Sequence, residues 1–183
     1  MKNIAVIDTE TNWDDEVMSV GIVAADSSEF RKIDEVYFIL DPEYKKGGMY
    51  EDVLFIEPVS ANLICSRDVM IRQLCNWFKS LHIDSLFAYN AAFDKKHLPE
   101  LCKYDWYDIM KTAAYRQYNS RLPADAEYCS TGRLKRNYGV ESIMRMMVPG
   151  RRYYETHNAL KDARDELRII QLLGQSFDVY QKL

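Results

Sequence analysis

The residues best suited to chemistry are two carboxylates that follow the first apolar run of the chain. Four apolar residues, Ile4-Ala5-Val6-Ile7, lead directly into Asp8-Thr9-Glu10. An apolar run without alternation predicts a strand that is buried on both faces. Because side chains alternate along a strand, Asp8 and Glu10 lie on one face at its carboxyl end. Adjacent carboxylates at the edge of a core repel and lose hydration. Either the strand ends at the surface and both carboxylates are hydrated, or a divalent cation neutralises their charge.

Two further carboxylates and a histidine occupy positions from which they could join this pair. Asp94 follows an apolar strand and lies in the first turn of a predicted helix, near the sheet edge where open α/β folds bind ligands. Asp162 lies beside the apolar stripe of the last predicted helix. His157 precedes that helix on an exposed, mobile loop, with Asn158 as the predicted N-cap. Ordinary roles also fit: a helix-dipole partner for Asp94, a salt bridge for Asp162 and a surface position for His157.

Convergence of the four carboxylates would create a cation site. Oxygen-only ligands favour Mg²⁺ or Mn²⁺ over zinc. Two such ions about 3.5–4 Å apart would hold the attacking and leaving oxygens of a phosphodiester. A histidine beside them suits a general base that activates water.

The elements that must position these residues predict an α/β domain. Three β-prone stretches joined by short polar links indicate consecutive antiparallel strands, and helices then alternate with strands. The predicted sheet is mixed and five-stranded, flanked by helices, and residues 43–62 are predicted as loop with at most one short helix. The predicted strands cover 3–10, 17–25, 35–40, 85–89 and 106–109, and the predicted helices cover 67–81, 91–102, 110–118, 131–138, 141–148 and 159–173.

Length and composition limit the classes of function. A chain of 183 residues predicts a single domain, 1–183, and the absence of an apolar run of about 18 residues predicts no membrane span. We expect no signal peptide at the start of the chain. The four cysteines form no Cys-x-x-Cys pair, which predicts reduced thiols in a cytoplasmic protein without a structural zinc site. A net charge of −4 requires any contact with nucleic acid to be local, metal-assisted or brief.

Three segments, in order along the chain, resemble the motifs of the DEDDh (DnaQ-like) 3′–5′ exonuclease superfamily. They are Ile7-Asp8-Thr9-Glu10-Thr11, Tyr89-Asn90-Ala91-Ala92-Phe93-Asp94 and His157-Asn158-Ala159-Leu160-Lys161-Asp162-Ala163. Any one of them is a weak match, but the ordered set spans nearly the whole chain. The resemblance implies a ribonuclease H-like fold.

The resemblance also implies roles for individual residues. The metal ligands for two divalent cations, Mg²⁺ or Mn²⁺, would be Asp8, Glu10, Asp94 and Asp162. The general base would be His157, and the product would be a nucleoside 5′-monophosphate released from the 3′ end of single-stranded DNA or short RNA.

The residues that would border the terminal nucleotide are less well defined by the resemblance. Thr9, Thr11 and Phe93 match family positions there. Where many members have Thr-Gly-Leu, this chain has Thr11-Asn12-Trp13, so Trp13 either stacks on the terminal base or packs on its own domain. Where many have His-Asn, it has Tyr89-Asn90, which bears on substrate preference.

Other positions carry weaker expectations. Asp108 resembles a family position that we interpret as structural. Basic residues at 133, 135, 136, 151 and 152 could hold upstream phosphates, although solvated surface is the favoured interpretation for most of them. Tyr153 and Tyr154 could stack on bases or simply pack on the domain.

Two other functions remain open from the sequence. One is a non-catalytic nucleic-acid-binding subunit of the same fold. The other is a phosphodiesterase that acts on nucleotides or dinucleotides. The sequence decides neither the sugar of the substrate nor whether the chain pairs with a second copy or with a polymerase.

Overall fold

The computed structural model describes residues 3–58, 62–150 and 152–183 and has a mixed sheet with helices on both faces. The strand order is β4-β3-β2-β1-β5-β6. The strands are β1 (Asn3–Thr11), β2 (Val17–Asp26), β3 (Lys32–Leu40), β4 (Asn62–Cys65), β5 (Ile83–Ala88) and β6 (Asp105–Asp108). The helices are α1 (Arg67–Ser80), α2 (Ala92–His97), α3 (Met110–Ala113), α4 (Val140–Met147), α5 (Ala159–Leu173) and α6 (Phe177–Gln181).

The first strand lies in the interior of the sheet, as its unbroken apolar run predicts. β1 pairs antiparallel with β2 on one side and parallel with β5 on the other. β3 continues the antiparallel meander, while β4 and β6 lie parallel to their neighbours at the two edges. The carboxyl ends of β1 and β5 therefore meet at one edge of the sheet, where the acidic residues follow.

Each face of the sheet has its own hydrophobic core. Ile4 and Val6 of β1 pack with α4, α5 and α6, whereas Ala5 and Ile7 pack with α1. Asp8 and Glu10 continue the alternation of Ile4 and Val6, so they point to the α5 side. The apolar pattern of β1 thus decides which helix can meet its carboxylates.

Helix α5 rests directly on β2 because residue 21 is a glycine. Gly21 pairs with Asp8 across the sheet. A Cβ added at Gly21 would lie 2.1 Å from the carbonyl carbon of Ala159 and 2.2 Å from the backbone nitrogen of Leu160. No other residue type leaves room for this approach, which brings the first turn of α5 beside the end of β1.

The mixed α/β architecture is confirmed, but the sheet has six strands rather than five. The additional strand is β4, at the sheet edge, which lies between the loop predicted over 43–62 and the helix predicted from 67 and overlaps that loop only at its first residue. Its side chains at Leu63 and Ile64 are both largely exposed, so no alternation marked it as a strand. Part of the region, 59–61, lies outside the described residues.

Three of the predicted helices differ from the structure. The predicted helix over 131–138 is wrong, since isolated bridges join Tyr115 to Arg133 and Tyr128 to Leu134 in an irregular, extended stretch. The helix predicted over 91–102 divides into α2 and a 3-10 turn that begins at Pro99, which cannot donate a backbone hydrogen bond. The helix predicted over 110–118 is shorter in the structure, where α3 ends at Ala113.

No helix in the described part of the chain is both long enough and apolar enough to cross a lipid bilayer.

Candidate active site

The carboxylates of β1 lie at the boundary of the α5-side core. The Oδ2 atom of Asp8 is buried and has no hydrogen-bond partner among the described residues. Burial raises the pKa of Asp8 well above its usual range, and the charges of Glu166, Asp94, Glu10 and Asp162 raise it further. Burial likewise raises the pKa of Glu10 to about 9, with Asp162 as its main acidic neighbour. The end of β1 therefore gathers carboxylates whose ionised form is not stabilised by any cation of the described residues.

Asp94 reaches this edge from the first turn of α2. It is 3% exposed, and its Oδ1 accepts a hydrogen bond of 2.8 Å from Thr9 Oγ1. Burial raises the pKa of Asp94 to about 7 although the Thr9 hydrogen bonds lower it. The bond holds Asp94 beside the strand that carries Asp8 and Glu10, and it occupies the Thr9 hydroxyl.

Asp162 reaches the site from the first turn of α5. Asn158 caps that helix as predicted, accepting a hydrogen bond of 3.3 Å from the backbone nitrogen of Lys161. Asp162 is 2% exposed, and its buried Oδ1 has no hydrogen-bond partner in the described structure. Burial raises the pKa of Asp162 to about 7, and Glu155 and Asp165 contribute to the rise.

His157 completes a compact group. Its ring nitrogen and one carboxylate oxygen each of Glu10 and Asp162 all lie within 4.8 Å of one another. The histidine adopts a left-handed conformation, with φ of 57°, just before the helix cap. Burial lowers the pKa of His157, which keeps the imidazole neutral and able to accept a proton near pH 7.

Tyr50 holds the imidazole in a way that the sequence did not indicate. Its ring stacks on His157 with a centroid distance of 3.9 Å and an interplanar angle of 13°. We expected His157 on an open, mobile loop, but its ring is half-buried against Tyr50. The pKa of Tyr50 is raised by burial and by Glu10, Glu155 and Asp162, so its phenol also faces the carboxylates.

A fifth carboxylate, Glu166, lies behind the other four. It is 2% exposed, and its Oε2 accepts a hydrogen bond of 3.0 Å from the backbone nitrogen of Tyr89. Burial, with the charge of Asp94 as the next cause, raises the pKa of Glu166 well above its usual range. The sequence contained the clue, since Glu166 lies one helical turn after Asp162 and so shares its face.

The residues expected to border the terminal nucleotide differ in their exposure to solvent. Trp13 is 67% exposed and Phe93 is 40% exposed, so both present apolar surface to solvent near the site. Thr11 is half-buried at the end of β1. Asn90 forms a turn before α2, with φ of 62°, and no side-chain cap is made at the start of that helix.

Asp108 has the structural geometry expected of it. Its Oδ1 accepts hydrogen bonds of 3.0 Å from the backbone nitrogens of Asn90 and Met110. The carboxylate thereby joins the ends of β5 and β6 just before α2 and α3 begin. This contact fixes the turn that leads to Asp94.

The donor set fits divalent cations. In the described residues no lysine or arginine forms an ion pair with Asp8, Glu10, Asp94, Asp162 or Glu166. Buried carboxylates need either protons or counter-charges, and two buried oxygens, one each on Asp8 and Asp162, have no hydrogen-bond partner among the described residues. Carboxylate oxygens are the ligands that Mg²⁺ and Mn²⁺ prefer.

Comparison with known proteins identifies the fold through structure alone. No protein-family model matches the chain, and no curated protein matches its sequence. Among solved structures, it is similar to E. coli exonuclease I in a zinc-bound complex with single-stranded DNA, with a TM-score of 0.62 at 14% identity over 94% of this chain. The chain spans only 40% of the length of that protein.

Two smaller structures are also similar. A 3′-exonuclease that recognises the histone mRNA stem-loop gives a TM-score of 0.65 at 15% identity, over 94% of this chain and 64% of that one. Exonuclease X bound to duplex DNA with a 5′ overhang gives a TM-score of 0.57 at 18% identity, over 98% of both chains. The expected ribonuclease H-like fold is thus confirmed. At these identities the likeness establishes the fold only.

Proposed function

We propose that this chain is a metal-dependent 3′–5′ exonuclease of the DEDDh type. It would hydrolyse phosphodiester bonds from the 3′ end of single-stranded DNA or short RNA and release nucleoside 5′-monophosphates, with 1–183 acting as one exonuclease domain. The observation that carries the proposal is the convergence of Glu10, His157 and Asp162 within 4.8 Å, next to buried and unpaired oxygens of Asp8 and Asp162.

The structural neighbours support the choice of substrate class. Their solved structures contain single-stranded DNA, a histone mRNA stem-loop and duplex DNA with an overhang. A net charge of −4 is low for a protein that holds long nucleic acids by charge alone. A site that acts on a strand end, with cations next to the scissile phosphate, is consistent with that charge.

The cation ligands would be Asp8, Glu10, Asp94 and Asp162, which together suit two divalent ions, Mg²⁺ or Mn²⁺. When bound, such ions neutralise the charge on the phosphate and make a coordinated water more acidic. Glu166 lies behind these ligands, where its hydrogen bond to the Tyr89 backbone fixes the end of β5.

His157 would act as the general base. It accepts a proton from water, whose oxygen forms a new bond to the terminal phosphorus. The bond between that phosphorus and the 3′ oxygen of the preceding nucleotide breaks, and this oxygen takes up a proton. The shortened strand keeps a 3′ hydroxyl group, and the departing nucleotide carries the 5′ phosphate. Stacking on Tyr50 would hold the imidazole in position for each cycle.

The exposed rings of Trp13 and Phe93 would contact the terminal base and sugar. Trp13 is anchored by a hydrogen bond of 3.2 Å from its backbone nitrogen to the Gly47 carbonyl, close to Tyr50. A stacking ring tolerates every base, which predicts low sequence specificity. Thr9 would contribute through its backbone only, because its hydroxyl is bonded to Asp94.

The test uses 20-nucleotide DNA and RNA strands labelled at either end and incubated with Mg²⁺, with Mn²⁺ or with EDTA. A 3′ label should leave as a mononucleotide in the first turnovers, while a 5′ label should appear as a ladder of shortening strands. EDTA and the variant Asp8→Ala should abolish both patterns.

A matched control is Asp178→Asn, which changes an exposed carboxylate on α6. Release of the 5′ label as a mononucleotide, or undiminished turnover by Asp8→Ala, would overturn the assignment. Cleavage of dinucleotides with none of longer strands would instead favour the phosphodiesterase. Strand binding without cleavage in any metal would favour the non-catalytic subunit.

A further inference from the structure

The segment that leads into His157 is held as a rigid strap between two helices. The Tyr153 hydroxyl donates a hydrogen bond of 2.6 Å to Asp165 on α5. The Tyr153 carbonyl accepts one of 2.9 Å from Arg145 Nε on α4, and the backbone nitrogen of Glu155 donates one of 3.1 Å to Glu141 Oε2. Residues 153 and 155 are thus fixed inward on either side of residue 154.

Tyr154, between these anchors, points outward. It is 64% exposed, although its neighbours on both sides are half-buried. The Arg145 guanidinium lies 5.1 Å from its ring centroid, in cation–π geometry, and is itself fixed by a salt bridge of 2.7 Å to Glu141. A ring that is immobilised from below and open above loses little further entropy when a second planar group stacks on it.

Two arginines without carboxylate partners flank this ring. Arg152 and Arg168 are exposed, and neither forms an ion pair with any residue that the structure describes. Together with Tyr153, Tyr154 and Asp165 they line an open cavity of about 360 Å³ on the α5 side. In a chain of net charge −4, unpaired arginines beside an exposed ring indicate an anionic, planar ligand.

We propose that Arg152, Tyr154 and Arg168 form a binding surface for the strand upstream of the scissile bond. The ligand is single-stranded nucleic acid: a base stacks on Tyr154 and the adjacent phosphates pair with the two arginines. The proposal rests on the exonuclease function proposed above, because it names the path of that substrate.

The location of the surface fits this role. Tyr154 precedes His157 by three residues along a stretch with no helical structure, which spans at most about 10 Å. A strand whose 3′ end lies beside His157 therefore has its neighbouring nucleotides within reach of Tyr154. Duplex DNA is a poorer fit, since stacking requires an unpaired base.

Binding is measured first, in the Asp8→Ala background with Mg²⁺ and a fluorescent 12-nucleotide DNA strand. Tyr154→Ala should weaken binding about tenfold, and Tyr154→Phe should retain the wild-type Kd, because both rings stack.

Arg152→Glu combined with Arg168→Glu should weaken binding at least about tenfold. With Arg152→Ala and Arg168→Ala, the slope of log Kd against log salt should fall by about 1.4, since each phosphate contact on a single strand contributes about 0.7. The matched control is Arg72→Glu, an exposed arginine on α1 beyond the opposite face of the sheet.

Turnover is measured second, in the active protein. In the wild type, KM should be lower for an eight-nucleotide strand than for a dinucleotide, and the arginine variants should reduce that advantage about tenfold. Unchanged binding and salt slope, an equal loss with Arg72→Glu, or no binding by the parent chain would each overturn the surface. The two proposals fail separately: loss of binding in the variants without cleavage by wild type refutes the exonuclease and keeps the surface.

Discussion

Helix α5 carries two kinds of carboxylate environment within one turn. On one side, Arg164 binds Glu35 at 2.7 Å and Glu57 at 3.0 Å. The guanidinium lowers the pKa of Glu35 to about 2. On the other side, Asp162 faces Glu10, none of the described residues forms an ion pair with it, and burial raises its pKa to about 7. Among the described residues, an arginine thus pairs with the carboxylates that join elements, and none pairs with the carboxylates for which we propose catalysis.

The proposed cations would supply, at the end of β1, the positive charge that the described residues do not place there. A stability role alone would favour a paired or apolar arrangement at such a buried position. Two buried oxygens without partners are costly in the protein alone. We call Asp8, Glu10, Asp94 and Asp162 the uncompensated group, and Glu35 and Glu57 with Arg164 the compensated group. The four predictions below test the difference between them.

The largest effect is expected from Asp162→Asn. The amide keeps the shape of the side chain but removes a proposed cation ligand, so exonuclease turnover should fall by about 10³-fold or more. In EDTA the same change removes one of several repelling charges and should raise Tm at pH 8 by about 2–4 °C, which corresponds to about 1 kcal/mol. Rates on a labelled strand and thermal melts measure the two outcomes. A simultaneous loss of activity and of metal-free stability would contradict the contrast.

The compensated group should respond in the opposite way. Arg164→Ala removes the counter-charge of two carboxylates, of which Glu57 is only 7% exposed. We expect a loss of about 2 kcal/mol, between the values for exposed and buried pairs, since the arginine is one-third exposed. Urea denaturation measures the loss. Turnover well below the transition temperature should remain within about threefold of wild type, and a larger fall would show that the two groups are coupled.

A smaller effect is expected from Tyr50, which touches only the histidine side of the uncompensated group. Tyr50→Ala frees the imidazole and should lower kcat about tenfold, roughly 1.4 kcal/mol, with little change in KM. Tyr50→Phe keeps the stacked ring and should retain most of kcat. If Tyr50→Phe were as impaired as Tyr50→Ala, the hydroxyl rather than the stacking would carry the effect.

The last effect, which requires no substitution, is the pH dependence of stability in EDTA. Glu10, with a pKa of about 9, and Asp94 and Asp162, with values of about 7, hold protons in the folded state that the unfolded chain releases near pH 4. The folded state binds more protons across this window, so stability falls as pH rises from about 4 to about 9. We expect Tm to drop by more than about ten degrees between pH 5.5 and 8.5, because the three shifts together amount to several kcal/mol, and Mg²⁺ to restore it at pH 8.5.

In Asp162→Asn that slope should flatten, whereas Arg164→Ala should keep it. A metal-free Tm that rises between pH 5.5 and 8.5 would show that cations of the protein already compensate the group.

Periodicity in the sequence predicted the elements that carry this contrast. The bounds of α5 match the prediction, and β1 ends at its carboxylates, because long apolar patterns report burial directly. The edge strand β4 was missed because neither of its faces is buried in alternation. Tyr50 was missed because it lies on a loop without periodicity, and its contact with His157 joins residues more than a hundred positions apart. Glu166 could have been found, since it repeats the face of Asp162.

The close approach at Gly21 has a consequence for how this protein could change over time. The gap between α5 and the sheet is set by main chain against main chain, so no choice of rotamer or side-chain size can adjust it in small steps. Substitutions can therefore change the strap and the exposed rings gradually, while the separation between the carboxylates of β1 and those of α5 stays constant. We therefore expect exposed residues to vary among related sequences, while Gly21 stays a glycine.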